Sequence, residues 1–527
     1  MPLKSIGEIE YTSILPIERA SVLPECAELY SKHYGIWGAF GDEKKRGKNI
    51  QLSVGRLNNW FLNEQTNLYV ARLNGALIGY AIALRDNLSN HGTVSWVTQF
   101  VVHKEYRNKG IGSHLLRHIW GMSNDYAWGL ITANPYAIRA LEKATRRICD
   151  PIYISNSSKN CESKADKLLN FADGKIEYVT KEIEKVVNKE TSQLNTEFAV
   201  DHADIDERIR SLKNNGISWN MGDLRECWEW FAFTFRKQVP FPLDKSEIAD
   251  ILNNSEAYVK QAYRRMLGGI GSTDEGKPYT KHTSYEVDFI VKECNLHKDS
   301  IVFDFGCGNG RHSIELVNKV AKVYSFDYIE GNINICNAKA EYFSKKPIFQ
   351  CADCRELYLD EKADAIICLY DVIGSYTKEE DNLRIIRNIA RHLKVGGTAI
   401  ISVMNSQIIQ NQVAEFSFTE EPNALFELEA SSTMQKTGEV FNPMLMLFDR
   451  DEGVFYRKEQ FMLGVELPVE LIVSDRRYTA DSISRLCENA GLNVELIRYV
   501  HAGDWITNIP PTGKKAKEIL LKCTKTM

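Results

Sequence analysis

The chain has no apolar run approaching the ~18–20 residues that cross a bilayer, so no membrane-spanning helix is expected. Its first residues, Met1-Pro2-Leu3-Lys4-Ser5, lack the charged-then-apolar pattern of a secretory leader. It also lacks a dominant charge. Lys and Arg number 65 against 70 Asp and Glu, leaving a net charge of −5. A basic surface for nucleic acid is therefore not expected over the whole molecule, although a local basic patch is compatible with that average. Metal-ligand clusters are missing too. Cys351-Ala352-Asp353-Cys354 has CxxC spacing, but no second CxxC and no histidine pair accompany it, so no metal is expected. The other cysteines are scattered, and several, such as Cys294 and Cys368, lie inside apolar runs. They read as reduced, buried thiols of a cytoplasmic protein.

What remains is an ordinary globular composition at a length, 527 residues, that exceeds a single core. Residues 67–85 read as a hairpin, with Asn74-Gly75 as its tight turn. A strand is expected at 94–102. A helix follows, with Ile111, Leu115 and Ile119 on its buried face. A short strand at 130–132 leads through Asn134-Pro135 into a helix over 137–146. The polar stretch 155–195 reads as an insertion with one surface helix at 175–187, and 196–200 as a returning strand. Residues 205–295 read as helical. The aromatic cluster Trp219, Trp228, Trp230, Phe231, Phe233 and Phe235 within them is expected to form an inter-domain core.

From Asp299 the pattern changes. Apolar strand candidates at 301–305, 322–326, 347–351, 365–369 and 398–403 alternate with helical segments, which predicts a doubly wound parallel sheet. Residues 415–475 interrupt it and read as an antiparallel insertion, a cap. Strands at 494–498 and 518–523 would complete the sheet.

Two glycine-rich turns carry the chemistry. Arg107-Asn108-Lys109-Gly110-Ile111-Gly112 closes one strand and opens a helix. Unpaired N–H groups at such a helix start, with the helix dipole behind them, suit a pyrophosphate. Asp304-Phe305-Gly306-Cys307-Gly308-Asn309-Gly310 does the same in the second half. Its third glycine comes one residue too early for a nicotinamide dinucleotide fingerprint, and an acid precedes the first glycine.

The first turn resembles the acyl-CoA site of the GNAT (GCN5-related) N-acetyltransferase family, with Arg107, Gly110 and Gly112 on its pattern. The resemblance implies a mixed α/β sheet domain over 1–205. It assigns Val101, Val102, Arg107, Asn108, Lys109, Gly110, Ile111, Gly112 and Asn134 to acetyl-CoA or another acyl-CoA. The strand positions where the family often carries a carboxylate hold Thr98 and Gln99, and the position of its thiolate-protonating tyrosine holds Leu141. Tyr136, Glu105 and His103 are the candidate substitutes.

The second turn resembles motif I of class I SAM-dependent methyltransferases (SAM, S-adenosylmethionine). That resemblance implies a Rossmann-like domain over 275–527, joined to the first by a helical connector at 206–274. It assigns Asp304, Gly306, Cys307, Gly308 and Gly310 to SAM, with Asp327 and Tyr328 at the ribose, Ala352, Asp353 and Cys354 at the adenine, and Leu369 beside the methyl group. Asp371, Tyr370, Tyr376 and His312 are candidate bases. Leu369-Tyr370-Asp371-Val372 lacks the Asn/Asp-Pro-Pro-Tyr/Phe segment of DNA amino-methyltransferases, which disfavours nucleobase N-methylation.

The reading is thus a bifunctional transferase acting on an amine-bearing small molecule. Two alternatives stay open: a methyltransferase whose GNAT domain binds acyl-CoA without turnover, and a modifier of tRNA or protein. Oligomeric state is not legible.

Overall fold

A computed structural model describes residues 9–155, 163–176, 179, 188, 191–242, 246–253, 281–417, 420–421, 423–432, 434, 440–461 and 467–526. The chain divides into two compact units, Met1–Asp244 with Gly464–Glu470, and Lys245–Leu463 with Leu471–Met527.

The first unit is built on seven strands: β1 (Ile9–Ile14), β2 (Thr66–Leu73), β3 (Ala76–Leu88), β4 (Gly92–Val102), β5 (Ala127–Thr132), β6 (Gln193–Asn195) and β7 (Trp228–Phe235). Their order in the sheet is β1-β2-β3-β4-β5-β7-β6. The β2–β3 hairpin turns at Asn74 and Gly75, both at positive φ, as a two-residue loop requires. Opposite β3, Ile82 faces Gln99 while Ala83 faces Val97, so Thr98 is an extra residue in β4, a bulge. β4 runs parallel to β5 only from Val94–Val97 against Ala127–Leu130. Both strands continue, to Val102 and Thr132, without pairing further.

Helices Ile111–Trp120 and Pro135–Thr145 supply one core with Val97, Leu130 and Trp230. Helices Arg19–His33 and Val54–Phe61 help cover the other face over Val70, Tyr80 and Val101. β7 corrects the helical expectation for 205–295. Its Trp230 and Ala232 enter one core, and its Phe231, Phe233 and Phe235 enter another with Trp96. A strand covered on both faces is apolar throughout and shows no alternation to read. The aromatic run is therefore sheet core of the first unit, which extends to Asp244 rather than ending at 205. Ile205–Asn214 and Thr283–Glu293 are helices as expected, and 254–280 lie outside the described residues. Most of the expected helix at 175–187 also lies outside them, and the returning strand is β6, three residues earlier than expected.

In the second unit, β8 (Ile301–Phe305), β9 (Lys322–Asp327), β10 (Ile348–Cys351), β11 (Ala363–Cys368) and β12 (Leu393–Met404) are parallel neighbours. The insertion that follows holds β13 (Ala414–Phe416), β14 (Ala430–Ser431), β15 (Met446–Asp449), β16 (Val454–Phe461) and β17 (Val469–Asp475). β15 and β16 are antiparallel as expected, but β13–β15 and β14–β16 are parallel, so this sheet is mixed. β18 (Leu492–Val500) and β19 (Glu518–Lys525) then complete the main sheet in the order β10-β9-β8-β11-β12-β19-β18, both β19 pairings being antiparallel.

Alternate residues of the central strands feed two cores. Phe303, Ile366 and Ile401 pack with helices Glu379–His392 and Ala480–Asn489 on one side. Val302, Ile367 and Ile400 pack with Thr283–Glu293 and Trp505 on the other. Double coverage explains why these strands are legible as continuous apolar runs. The order reverses between β8 and β11, and in such sheets ligands bind beyond the carboxyl ends of the strands at that point. No helix among the described residues is long and apolar enough to cross a membrane.

Candidate functional sites

The 304–310 turn stands at the carboxyl end of β8, at the reversal. Gly306, Gly308 and Gly310 all have positive φ. A Cβ on Gly306 would meet Val372 at 2.4 Å, and one on Gly310 would meet Cys336 and Phe349 at 2.9 Å. A Cβ on Gly308 would meet nothing within 4 Å. The outer glycines are thus needed by the fold, and the middle one borders open space.

Asp327, at the end of β9, is tied to this turn. Its Oδ2 accepts the Gly308 N–H at 2.9 Å, and its Oδ1 accepts from Ile329 N–H at 2.8 Å and Asn332 Nδ2 at 3.3 Å. A carboxylate has about four lone-pair positions, so three bonds leave little room for two ribose hydroxyls. The expected role narrows: Asp327 first fixes the turn. Asp304 faces inward and accepts from the Ser313 hydroxyl, and burial raises its carboxyl to about 7 against that hydrogen bond. Asp353 is held by Arg355, with Nη2 on Oδ2 at 2.7 Å, and that guanidinium lies 4.3 Å from the Tyr376 ring. Ala352 donates its N–H to the Asp327 carbonyl at 3.0 Å. Cys307 and Cys354 are buried, as is Leu369 at the end of β11. Tyr328 is half-buried beside Asp327. In the CxxC segment Cys351 is exposed and Cys354 buried, and no metal-ligand cluster exists among the described residues.

Beyond β11 the chain passes through Tyr370 at φ 64, a costly conformation for a residue with a side chain. Its N–H donates to Ser402 Oγ at 2.5 Å and its hydroxyl to Glu286 Oε1 at 2.9 Å. Glu286 Oε2 also meets Arg311 Nη1 and His312 Nε2, each at 2.8 Å. Burial pushes the Glu286 carboxyl up, but His312, Arg311 and Tyr370 overcome this and hold it below its ordinary value. Burial lowers His312, opposed by its hydrogen bond to Glu286. Burial also raises the Tyr370 hydroxyl. Tyr370 and His312 are thus engaged groups rather than free bases, and the buried Tyr376 stacks on Arg355. Asp371, next in the chain, is exposed. Surrounding protein raises its carboxyl nonetheless, opposed by Arg457. Of the four candidate bases, only Asp371 is exposed. Glu286, Ser402 and Glu518 carry no local motif, and the sequence reading missed them.

In the first unit, Gly110 begins helix Ile111–Trp120 at φ 84, with no side chain capping it. Asn108 is also left-handed, at φ 60, and Lys109 is exposed. The turn therefore offers uncapped N–H groups beside a cation. Arg107 departs from expectation. Its Nε donates to the Val102 carbonyl at 3.0 Å and its Nη2 to the His33 carbonyl, so its side chain binds the turn to the sheet. Gly112 departs too, since its Cβ would lie 2.9 Å from the Phe100 ring, so it serves helix-to-strand packing. Val101 is buried in the core, and its strand edge is the part of β4 that β5 leaves unpaired.

Asn134 caps the next helix, accepting the Tyr136 N–H at 3.1 Å, and also accepts from Arg208 at 3.3 Å. Leu141 is fully buried and Gln99 nearly so, with no partner for Gln99 Oε1 among the described residues. Glu105 is exposed, its N–H donating to His103 Nδ1. Tyr136 is half-buried.

The comparisons with known proteins fall on these two sites. The family model described as "Acetyltransferase (GNAT) family" matches residues 28–144, and that described as "Methyltransferase domain" matches 302–397. The ubiquinone biosynthesis O-methyltransferase of Rickettsia typhi is 29% identical over 123 residues, which is 23% of this chain and 48% of that protein. The probable cobalt-precorrin-6B C(15)-methyltransferase (decarboxylating) of Methanocaldococcus jannaschii is 35% identical over 72 residues, 14% of this chain and 38% of that protein. The chain thus spans half or less of these relatives' length. An S-adenosylmethionine-dependent methyltransferase structure from Clostridium acetobutylicum aligns at 17% identity and TM-score 0.33, over 47% of this chain and 91% of that one. With the 107–112 turn inside one matched segment and the 304–310 turn inside the other, the chain joins a GNAT-family acetyltransferase domain to a methyltransferase domain.

Proposed function

We propose that the second unit binds SAM beyond the carboxyl ends of β8, β9 and β11 and methylates an amine-bearing small molecule. The open space at Gly308, bordered by the Asp327 carboxylate, carries this reading. Gly308 would lie against the cofactor in a turn shaped by Gly306 and Gly310, Asp327 would offer its remaining lone pair to one ribose hydroxyl beside Tyr328, and Ala352, Asp353 and Cys354 would flank the adenine. SAM supplies an electrophilic methyl group. The chain's part is to hold the acceptor in line and to receive its proton, and the exposed Asp371 is the group placed for this.

The test is calorimetry on the full chain. Asp327→Ala is expected to raise the SAM dissociation constant by ~10- to 100-fold, about 1.5–3 kcal/mol. An unchanged affinity removes Asp327 from the site.

We further propose that the first unit carries acyl-CoA at the uncapped helix start, with the free edge of β4 beside it, and acylates an amine. A second reading, binding without turnover, is favoured by one observation: the positions customary for proton transfer hold the buried Thr98, Gln99 and Leu141. Thiol release from acetyl-CoA across a panel of small amines decides between them. Release supports transfer. Tight binding with no release supports a binding module.

A further inference from the structure

Glu518 begins β19, opposite Met404 at the carboxyl end of β12. It is 8% exposed, and its Oε2 has no hydrogen-bond partner among the described residues. The Ser402 hydroxyl hydrogen-bonds to the Glu518 carboxyl, and the same Ser402 oxygen accepts the Tyr370 N–H. One short chain of contacts therefore links Glu518 to the strained residue just before Asp371.

Most of the charges around this point are paired. Glu286 is matched by Arg311. Arg457 is matched by Glu459, and Arg477 by Asp475. The Arg477 side chain is fully buried against Phe441 and Phe455. Asp371 and Glu518 form no direct ion pair among the described residues, although Arg457 and Arg477 act on Asp371 and Arg311 on Glu518. A buried carboxyl oxygen left without a partner is costly unless a ligand supplies one.

We propose that Glu518 and Asp371 together form a cation-receiving wall of the methyl-acceptor site, so that the acceptor is an aliphatic amine that enters protonated. This rests on the SAM-dependent reading of the second unit. An ammonium held there gives one proton to a carboxylate. The freed nitrogen lone pair forms the new N–C bond as the methyl C–S bond breaks, and that bond's electron pair stays on sulfur. The products are the N-methylated ammonium and S-adenosylhomocysteine. The carboxylate later returns its proton to water.

Three ligands sharing one frame test this by calorimetry on the full chain. Sinefungin places a primary ammonium where SAM carries its methyl group, and S-adenosylhomocysteine carries neither. Wild type is expected to bind sinefungin about tenfold or more tightly than S-adenosylhomocysteine. Glu518→Gln and Asp371→Asn are each expected to erase most of that preference while changing S-adenosylhomocysteine affinity less than about twofold. The preference for SAM over S-adenosylhomocysteine should hold in both variants. Asp371 is exposed, so Asp371→Asn carries the test if Glu518→Gln does not fold.

A sinefungin preference unchanged in both variants overturns the proposal alone. A parallel loss of the SAM preference assigns the carboxylates to the cofactor's own charge and overturns the acceptor assignment. Failure of S-adenosylhomocysteine to bind wild type overturns the underlying reading, and this proposal with it.

Discussion

Asp304 and Glu518 are buried acids whose proton affinities burial has raised, each to about 7, from ordinary values of 3.8 and 4.5. Ser313 and Ser402 oppose the rise without cancelling it. Between those ordinary values and about 7 the folded state holds protons that the unfolded chain has released. Stability from these two groups therefore falls as pH rises through that window, and levels off above it. Glu518→Gln is expected to flatten the fall between about pH 5 and about pH 7, read as a smaller difference in unfolding midpoint between the two. An identical slope in the variant would show that Glu518 titrates normally. Glu286 acts in the opposite sense. Its ion pair and hydrogen bonds hold it low, so its contribution disappears only as pH drops below the ordinary carboxylate range.

At the scale of elements, the two glycines of the first turn separate into different duties. Gly112 lets its helix close onto Phe100 and Ala140, while Gly110 holds a left-handed backbone at the helix start. Gly112→Val is expected to destabilise the first unit by ~1–3 kcal/mol through overpacking, with or without CoA. Gly110→Glu is expected to abolish CoA-dependent stabilisation, since it places a carboxylate at the uncapped N–H groups. Melting curves with and without CoA check both, and a Gly110→Glu variant that still responds to CoA would sink the site.

The glycine turns and the strands before them were legible because a strict spacing and a doubly covered strand both leave local marks. β7 was not, because a buried apolar run reads alike as strand or helix when alternation is absent. Glu286 was hidden for a different reason. It lies 84 positions from Tyr370, and only the β8–β11 reversal brings their side chains together. Ser402 and Glu518 were hidden in the same way, by pairing across β12 and β19.

At the scale of the whole molecule, two matched domains, each with cores of its own, imply two separable ligand responses. SAM is expected to raise the melting of the second unit alone, and CoA that of the first, because each ligand stabilises only the structure it binds. Gly110→Glu should leave the SAM response intact. The tryptophan-rich strand β7 gives this separation an optical consequence. Of the nine tryptophans, only Trp505 falls in the second unit, where it is fully buried against Phe289. Intrinsic fluorescence is therefore almost entirely a signal from the first unit, while the far-ultraviolet circular dichroism of the backbone sums both. If the units melt apart, the two spectroscopies will disagree on the midpoint. Adding SAM will then shift the dichroism curve while the emission curve stays nearly still. In Trp505→Phe, emission becomes a readout of the first unit alone.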